Sequence, residues 1–290
     1  MPFTAGGLSD VLARGIAQEL TTRWARPVIV ENRPGANTII AAEYVARAAP
    51  DGYTLLMAND PTLSLNQYLY RKLSYDPVKD FVPVINLVQT REILLASNGS
   101  GIDSVQELVA RAKAKPGEVS YGSYGVGSKA QLDAEAFASM AGIRLNHVPY
   151  KGVADVMAAL VGGQIDMAWV GVPPSIPMVK SGKVKLLGVA APQRIAAFPD
   201  APTLAELGFP KMVSQAWFGL VAPSGTPQAV VDKIAADVAA VVSQQAFQEK
   251  YVTGVGLEPL NQGPKEFERF LAQDRAEYEA SIRNANVKLD

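Results

Sequence analysis

The sequence contains no cysteine. That excludes disulfides, thiolate nucleophiles and cysteine metal sites, and it fits either a reducing or an oxidising compartment. It contains one histidine, His147, too few for a zinc site of the usual kind. No run of about 18 apolar residues occurs, so no segment is suited to cross a bilayer as a helix, and no signal peptide opens the chain. Neither sign of charge dominates. The 27 Lys and Arg stand against 28 Asp and Glu, with no basic patch or acidic tail. Nucleic acid and anionic membranes are therefore not implied partners.

The 290 residues are 48% hydrophobic, enough for one large or two modest cores. Short apolar runs alternate with helix-period segments along the whole chain. The expected strands are Pro27–Val30, Tyr53–Ala58, Phe81–Val88, Ile93–Ala96, a run ending at Tyr121, Leu145–Val148, Ile165–Val170, Val184–Ala190 and Ala216–Ala222. They are continuous rather than alternating, which predicts an α/β fold with mostly parallel sheets covered on both faces. Helices are expected over 8–20, with Leu8, Val11, Leu12, Ile16 and Leu20 on one face, and over 39–48, 63–73, 104–115, 154–161 and 173–181. A long helix opens at Thr226-Pro227, threonine as N-cap and proline at its first position, and a last one runs from Pro264 to about 284. Two places look like crossings between lobes, 93–100 and 216–224. They predict a discontinuous lobe of 1–95 plus 222–290 around an inserted lobe of 96–221.

The stretch Gly117–Gly152 is the most informative. A glycine-rich loop, Gly122-Ser123-Tyr124-Gly125-Val126-Gly127-Ser128, leads into a helix with Leu132, Ala136, Phe137 and Met140, stopped by Gly142. A glycine-rich turn opening a helix exposes free N–H groups at the positive end of the dipole, a site for an anion. A turn without a ligand is the plain alternative. The spacing is not that of a dinucleotide fingerprint. Ser128-Lys129 reverses the order a P-loop needs, and Tyr121 stands where a nucleophile elbow needs glycine. Ser123 and His147 suggest a hydrolase dyad only weakly, because no orienting acid is evident. Asp133 and Glu135 read as solvated helix-surface carboxylates, Asp10 as an electrostatic partner of the first helix start, and Trp217 as either core or cleft wall. A second glycine-rich helix start, Ala5-Gly6-Gly7, repeats the same logic. No catalytic constellation emerges, which favours binding of a small anion over a reaction.

Six separated motifs then fall into place: Pro2-Phe3-Thr4-Ala5-Gly6-Gly7-Leu8-Ser9-Asp10, Glu31-Asn32-Arg33-Pro34-Gly35-Ala36, Pro50-Asp51-Gly52-Tyr53, Tyr121-Gly122-Ser123 with Gly125 and Gly127-Ser128, His147-Val148-Pro149-Tyr150-Lys151-Gly152, and Ala222-Pro223-Ser224-Gly225-Thr226-Pro227. Together they resemble the Bug, or TctC-type, solute receptors of tripartite tricarboxylate transporters over nearly the whole chain. The resemblance implies a two-lobed periplasmic-binding-protein fold of type II with a cleft that closes on an organic acid. It implies a periplasmic monomer with no catalysis, cofactor or metal, and membrane subunits of a transporter as partners.

By the same resemblance Ala5, Gly6 and Gly7 offer backbone groups, with Asp10 beside them and Phe3 as a wall. Ser123, Gly125, Gly127 and Ser128 grip a carboxylate, partly through water, with Tyr121 at the loop's entry and Gln131 standing where the family often has histidine. Tyr150, Lys151 and Gly152 support the floor, and Trp217 lies at a crossing. Arg91 is expected either to meet a second carboxylate or to face solvent. In the family a leader and a strand precede the position of Pro2, so the chain is expected to be a trimmed form. The readings set against the receptor are a cytosolic enzyme acting on a carboxylated or phosphorylated small molecule, and a ligand-sensing module for a signalling partner.

Overall fold

A computed structural model describes residues 1–285. In chain order the elements are α1 (Leu8–Trp24), α2 (Ile39–Ala46), β1 (Leu56–Asn59), α3 (Asn66–Leu69), β2 (Phe81–Ser97), α4 (Val105–Ala114), β3 (Ser120–Ser123), α5 (Lys129–Ala141), β4 (Asn146–Pro149), α6 (Val153–Val161), β5 (Met167–Gly171), α7 (Val172–Lys180), β6 (Val184–Val189), β7 (Gln215–Pro223), α8 (Gln228–Val242), α9 (Gln245–Tyr251), β8 (Glu258–Gln262) and α10 (Pro264–Ala285). The chain divides into two compact units, one built from Met1–Gln89 and Trp217–Ala280, the other from Thr90–Ala216. The sequence had put these breaks at 95/96 and 221/222. In the structure they fall inside β2 and β7, two long strands that run through the divisions without interruption.

In the first unit β1 pairs antiparallel with β7, Leu56 opposite Val221, and the leading half of β2 pairs antiparallel with β8, Gln89 opposite Glu258. α1 buries Leu12, Ile16 and Leu20 in one core with Val231, Ile234, Val238 and Val241 of α8. Each such side chain contributes about 1.5–3 kcal/mol by leaving water. A second core gathers Trp217, Phe267 and Leu271 with Ala41, Ala42 and Leu63.

In the second unit the trailing half of β2 pairs antiparallel with β5 and β6, and β3 pairs in parallel with β4 and β5. One core collects Tyr121, Phe137, Trp169 and Leu187; another collects Val156, Leu160, Ile165 and Val170.

Several expectations are corrected. The sheets are not mostly parallel, because four of the strand pairs just given are antiparallel. A continuous apolar run reports burial on both faces, not strand direction. The two strands expected around Gln89-Thr90-Arg91 are one seventeen-residue strand, β2. Residues 27–30 are extended and partly exposed but belong to no ladder. Only the neighbouring residues join Met1, through Met1 N–H to Glu31 O at 2.9 Å and Arg33 N–H to Met1 O at 2.8 Å. Val11 and Met140 are exposed rather than on buried faces. The expected helix over 63–73 is a π-helical turn, Pro61–Leu65, followed by α3. α8 begins one residue late: Pro227 is its N-cap, and the Thr226 hydroxyl instead donates to Pro223 O at 2.7 Å. α9 and β8 had no clear apolar signature and were not anticipated.

Candidate functional site

The first glycine-rich loop lies in the first unit. Thr4 to Gly7 are exposed, and Gly6 adopts a φ of +85°, a conformation other residues enter at a cost. Gly7 is the N-cap of α1 and supplies no side-chain cap. The loop is held by Asp10, whose side chain is almost fully buried, the residue being 1% exposed. Its Oδ2 accepts from Gly6 N–H at 2.9 Å and from Arg14 Nε at 2.8 Å; its Oδ1 accepts from Asn32 Nδ2 at 2.8 Å. Asn32 Nδ2 also donates to Phe3 O at 3.0 Å, and the Phe3 ring packs edge-on against Phe218. The Arg14 bond, with the Gly6 and Asn32 bonds, holds the Asp10 carboxyl down at about 2 despite burial. Asp10 is therefore a clamp on the loop, with both oxygens engaged. Asn32 is its unforeseen partner; in the sequence it stood only within the Glu31–Ala36 motif, with no role of its own.

The second loop, in the second unit, joins β3 to α5. Gly125 and Gly127 sit at φ of +127° and +76°. Gly122 allows β3 to pass close to its neighbours, since a Cβ there would meet Ile165 Cδ1 at 2.4 Å. The Ser123 hydroxyl donates to Gly125 O at 3.0 Å, accepts from Gly125 N–H at 3.3 Å, and lies 2.6 Å from His147 Nε2. Gln131 reaches back from α5 to accept from Gly127 N–H at 2.7 Å, and Ser128 N–H donates to Gly125 O at 3.2 Å. Tyr150 N–H donates to Ser123 O at 2.8 Å, so the segment that holds Tyr150, exposed Lys151 and Gly152 braces the loop from β4.

One group in this loop stays unsatisfied. Ser128 is the N-cap of α5, yet its side chain makes no capping bond, and its buried Oγ has no hydrogen-bond partner. Leaving a buried hydroxyl unpaired costs about 1–3 kcal/mol. No acidic residue stands in the first turn of α5, so no side chain of that turn complements the positive end of its dipole.

Behind the loop, Tyr121 is fully buried and its hydroxyl donates to Glu135 Oε1 at 2.7 Å. Burial, and then the bond to Glu135, push the Tyr121 phenol pKa up. Tyr121 stacks on the His147 ring at 4.9 Å. Tyr121 and Glu135 thus support the loop from within, and Glu135 is half-buried rather than the solvated carboxylate expected from the sequence. Asp133 is likewise buried rather than solvated: Ser214 Oγ lies 2.8 Å from both its oxygens and Lys129 Nζ 3.7 Å from one. Burial raises the Asp133 pKa, with Lys129 opposing. The signal was available, because Asp133 precedes Phe137 by one helical turn and so lies on the buried face.

Two further expected contacts sit elsewhere. Trp217 is fully buried, its indole N–H donates to Asp274 Oδ2 at 2.9 Å, and its ring meets Phe267 and Phe270 edge-on. It is core of the first unit and not a cleft wall. Arg91 is half-buried in the second unit, with Nη1 donating to Gln215 Oε1 at 2.7 Å. Among the described residues no group of three or more His, Asp or Glu is arranged to hold a metal.

The profile of the family described as "Tripartite tricarboxylate transporter family receptor" matches residues 12–287. The structure is similar to Rpa4515 from R. palustris, solved with adipate, at 32% identity and a TM-score of 0.90, covering 99% of this chain and 96% of that one. It is similar to the periplasmic binding protein BugD at 30% identity and a TM-score of 0.85, over 99% and 96% of the two chains. It is also similar to MatC from Rhodopseudomonas palustris, solved with bound malate, at 31% identity and a TM-score of 0.84, over 97% and 96%. The fold is that of these periplasmic binding proteins, and the chain belongs to the family of solute-binding receptors of tripartite tricarboxylate transporters.

Proposed function

We propose that this receptor works outside the cytoplasm, captures a small organic acid, and delivers it to the membrane subunits of a tripartite transporter without changing it chemically. The observation that carries the reading is the bare end of α5. Ser128 offers a buried hydroxyl without a partner at a helix start that lacks an anion. A ligand carboxylate supplies what is missing, a hydrogen-bond acceptor and a negative charge. Capture is assigned to the second glycine-rich loop, through Gly125, Gly127 and Ser128 with Gln131, braced by the segment of Tyr150, Lys151 and Gly152. The adipate and malate held by two similar proteins support a mono- or dicarboxylate as the ligand class.

The Ser123–His147 contact does not favour a reaction. A nucleophilic serine must send its proton to its base. Here the hydroxyl is also placed to donate to Gly125 O, so its proton is not committed to the imidazole. Arg91 is assigned the second carboxylate of a diacid, as a charge-assisted donor.

The test is a thermal-shift panel of aliphatic and aromatic mono- and diacids, tricarboxylates, acidic amino acids and phosphate controls. A ligand at 100 times its Kd adds about 2.7 kcal/mol of stability. The expected result is a rise with one carboxylate class, none with phosphates, and unchanged ligand after incubation. In Arg91→Ala, diacid affinity falls by about tenfold while monoacid affinity holds; equal diacid affinity in both proteins would remove Arg91 from the site. Turnover of any acid would overturn the receptor reading.

A further inference from the structure

Ser123 is fully buried and makes three polar contacts with one proton. Donation to Gly125 O uses that proton. With that proton so placed, the 2.6 Å contact to His147 Nε2 is assigned as a bond from the ring N–H to the serine oxygen. That assignment puts the neutral ring's hydrogen on Nε2, so a second proton enters at Nδ1 and leaves the bond to Ser123 intact. Ser123 in turn sets Gly125 through both its N–H and its carbonyl, and Gly125 O receives the Ser128 N–H. A single chain of bonds therefore runs from His147 to the Ser128 helix start.

We propose that His147 is a positioning residue that links carboxylate capture by this loop to proton uptake. The inference rests on the receptor reading. The neutral ring orders the loop through Ser123, and the protonated ring adds a positive charge directly behind it, which a bound carboxylate stabilises. Among the described residues, the titratable groups shown to face the ring are Tyr121 of β3, stacked on it, and Glu135 of α5. β4 itself carries only Asn146, Val148 and Pro149 beside it. Burial holds the His147 pKa below its ordinary value, with Glu135 pulling the other way, so the ligand-free ring is neutral at pH 7.

A bound anion favours the charged form and raises the ring's pKa relative to the free protein. Affinity therefore rises as pH falls through that interval, and binding takes up a proton below neutrality. A separation of one pKa unit corresponds to a limiting tenfold change in Kd.

The experiment is calorimetric titration of L-malate and adipate into wild type, His147→Gln and His147→Phe from pH 7.5 to 5.5, in buffers of different ionisation enthalpy. Because His147 is the sole histidine, its ring proton resonances report its titration in the same samples. Wild type is expected to bind several-fold more tightly at pH 5.5 than at 7.5, with net proton uptake and an upward shift of the ring's titration on binding. His147→Gln keeps an N–H for Ser123, so it binds within about threefold of wild type at pH 7.5. It shows only the acid's own titration, which serves as the control. His147→Phe loses the donor and binds about tenfold or more weakly throughout.

A wild-type pH slope and proton uptake retained in His147→Gln would overturn the inference and leave the receptor reading standing. Failure of wild type to bind these or any other carboxylate of the panel would overturn both.

Discussion

The two glycine-rich helix starts look alike in sequence and differ in how they are finished. At α1 the chain supplies its own anion: Asp10, three residues past the N-cap, takes the Gly6 N–H and is neutralised by Arg14. At α5 the loop is braced by neutral groups, Ser123, Gln131 and His147, and no carboxylate stands in the first turn. The first start is electrostatically complete and the second is not. A helix terminus is an anion site only to the extent that the protein has not already capped it. The comparison therefore singles out α5, in the proposed function, as the helix start that lacks its own anion.

The comparison can be strained from either side. Gly125→Val forces a β-branched residue to a φ of +127°, which only glycine enters readily. Because nothing crowds a Cβ there, the second unit loses no more than about 1–3 kcal/mol of stability. Carboxylate affinity, read by calorimetry, falls by about 100-fold, near 2.7 kcal/mol. Asp10→Ala acts on the other start. It strands Gly6 N–H, Arg14 and Asn32 and costs about 2–3 kcal/mol in denaturant unfolding, with a smaller loss of affinity.

Its pH signature has a definite sign. The folded pKa of Asp10, about 2, lies below the ordinary 3.8, so its stabilisation is complete above about pH 4 and is lost as pH falls toward 2. The variant lacks that part of the acid transition. Trp217→Phe sharpens the contrast as a control within the first unit. Loss of the bond to Asp274 lowers stability by about 1–2 kcal/mol, and ligand affinity stays within twofold.

Much of this was legible in the chain. Helix starts at Gly6-Gly7 and Ser128 were marked by glycines, and the alternation of strand and helix signals located the α/β layers. What was not legible depended on partners far apart in sequence. Asp10 and Asn32 are 22 residues apart, Asp133 and Ser214 are 81, and Trp217 and Asp274 are 57. Each is a polar group whose burial is compensated by a bond that local pattern does not reveal. Strand direction was misread for a related reason, because β2 passes through both units and its pairings are set by tertiary context. Ser123 and His147 read only as a weak dyad in the sequence, and their 2.6 Å contact in the structure ties the ring to the loop.

The central claim, that α5 lacks an anion which the ligand supplies, is tested most directly by Ser128→Asp. An aspartate at this N-cap provides the missing acceptor and charge from within the chain. The measurement is thermal unfolding of variant and wild type side by side, with and without the carboxylate that stabilises wild type most. The account predicts that the ligand-free variant is more stable by about 0.5–1 kcal/mol and no longer responds to the acid. A variant that gains no stability and binds the carboxylate as tightly as wild type would contradict it.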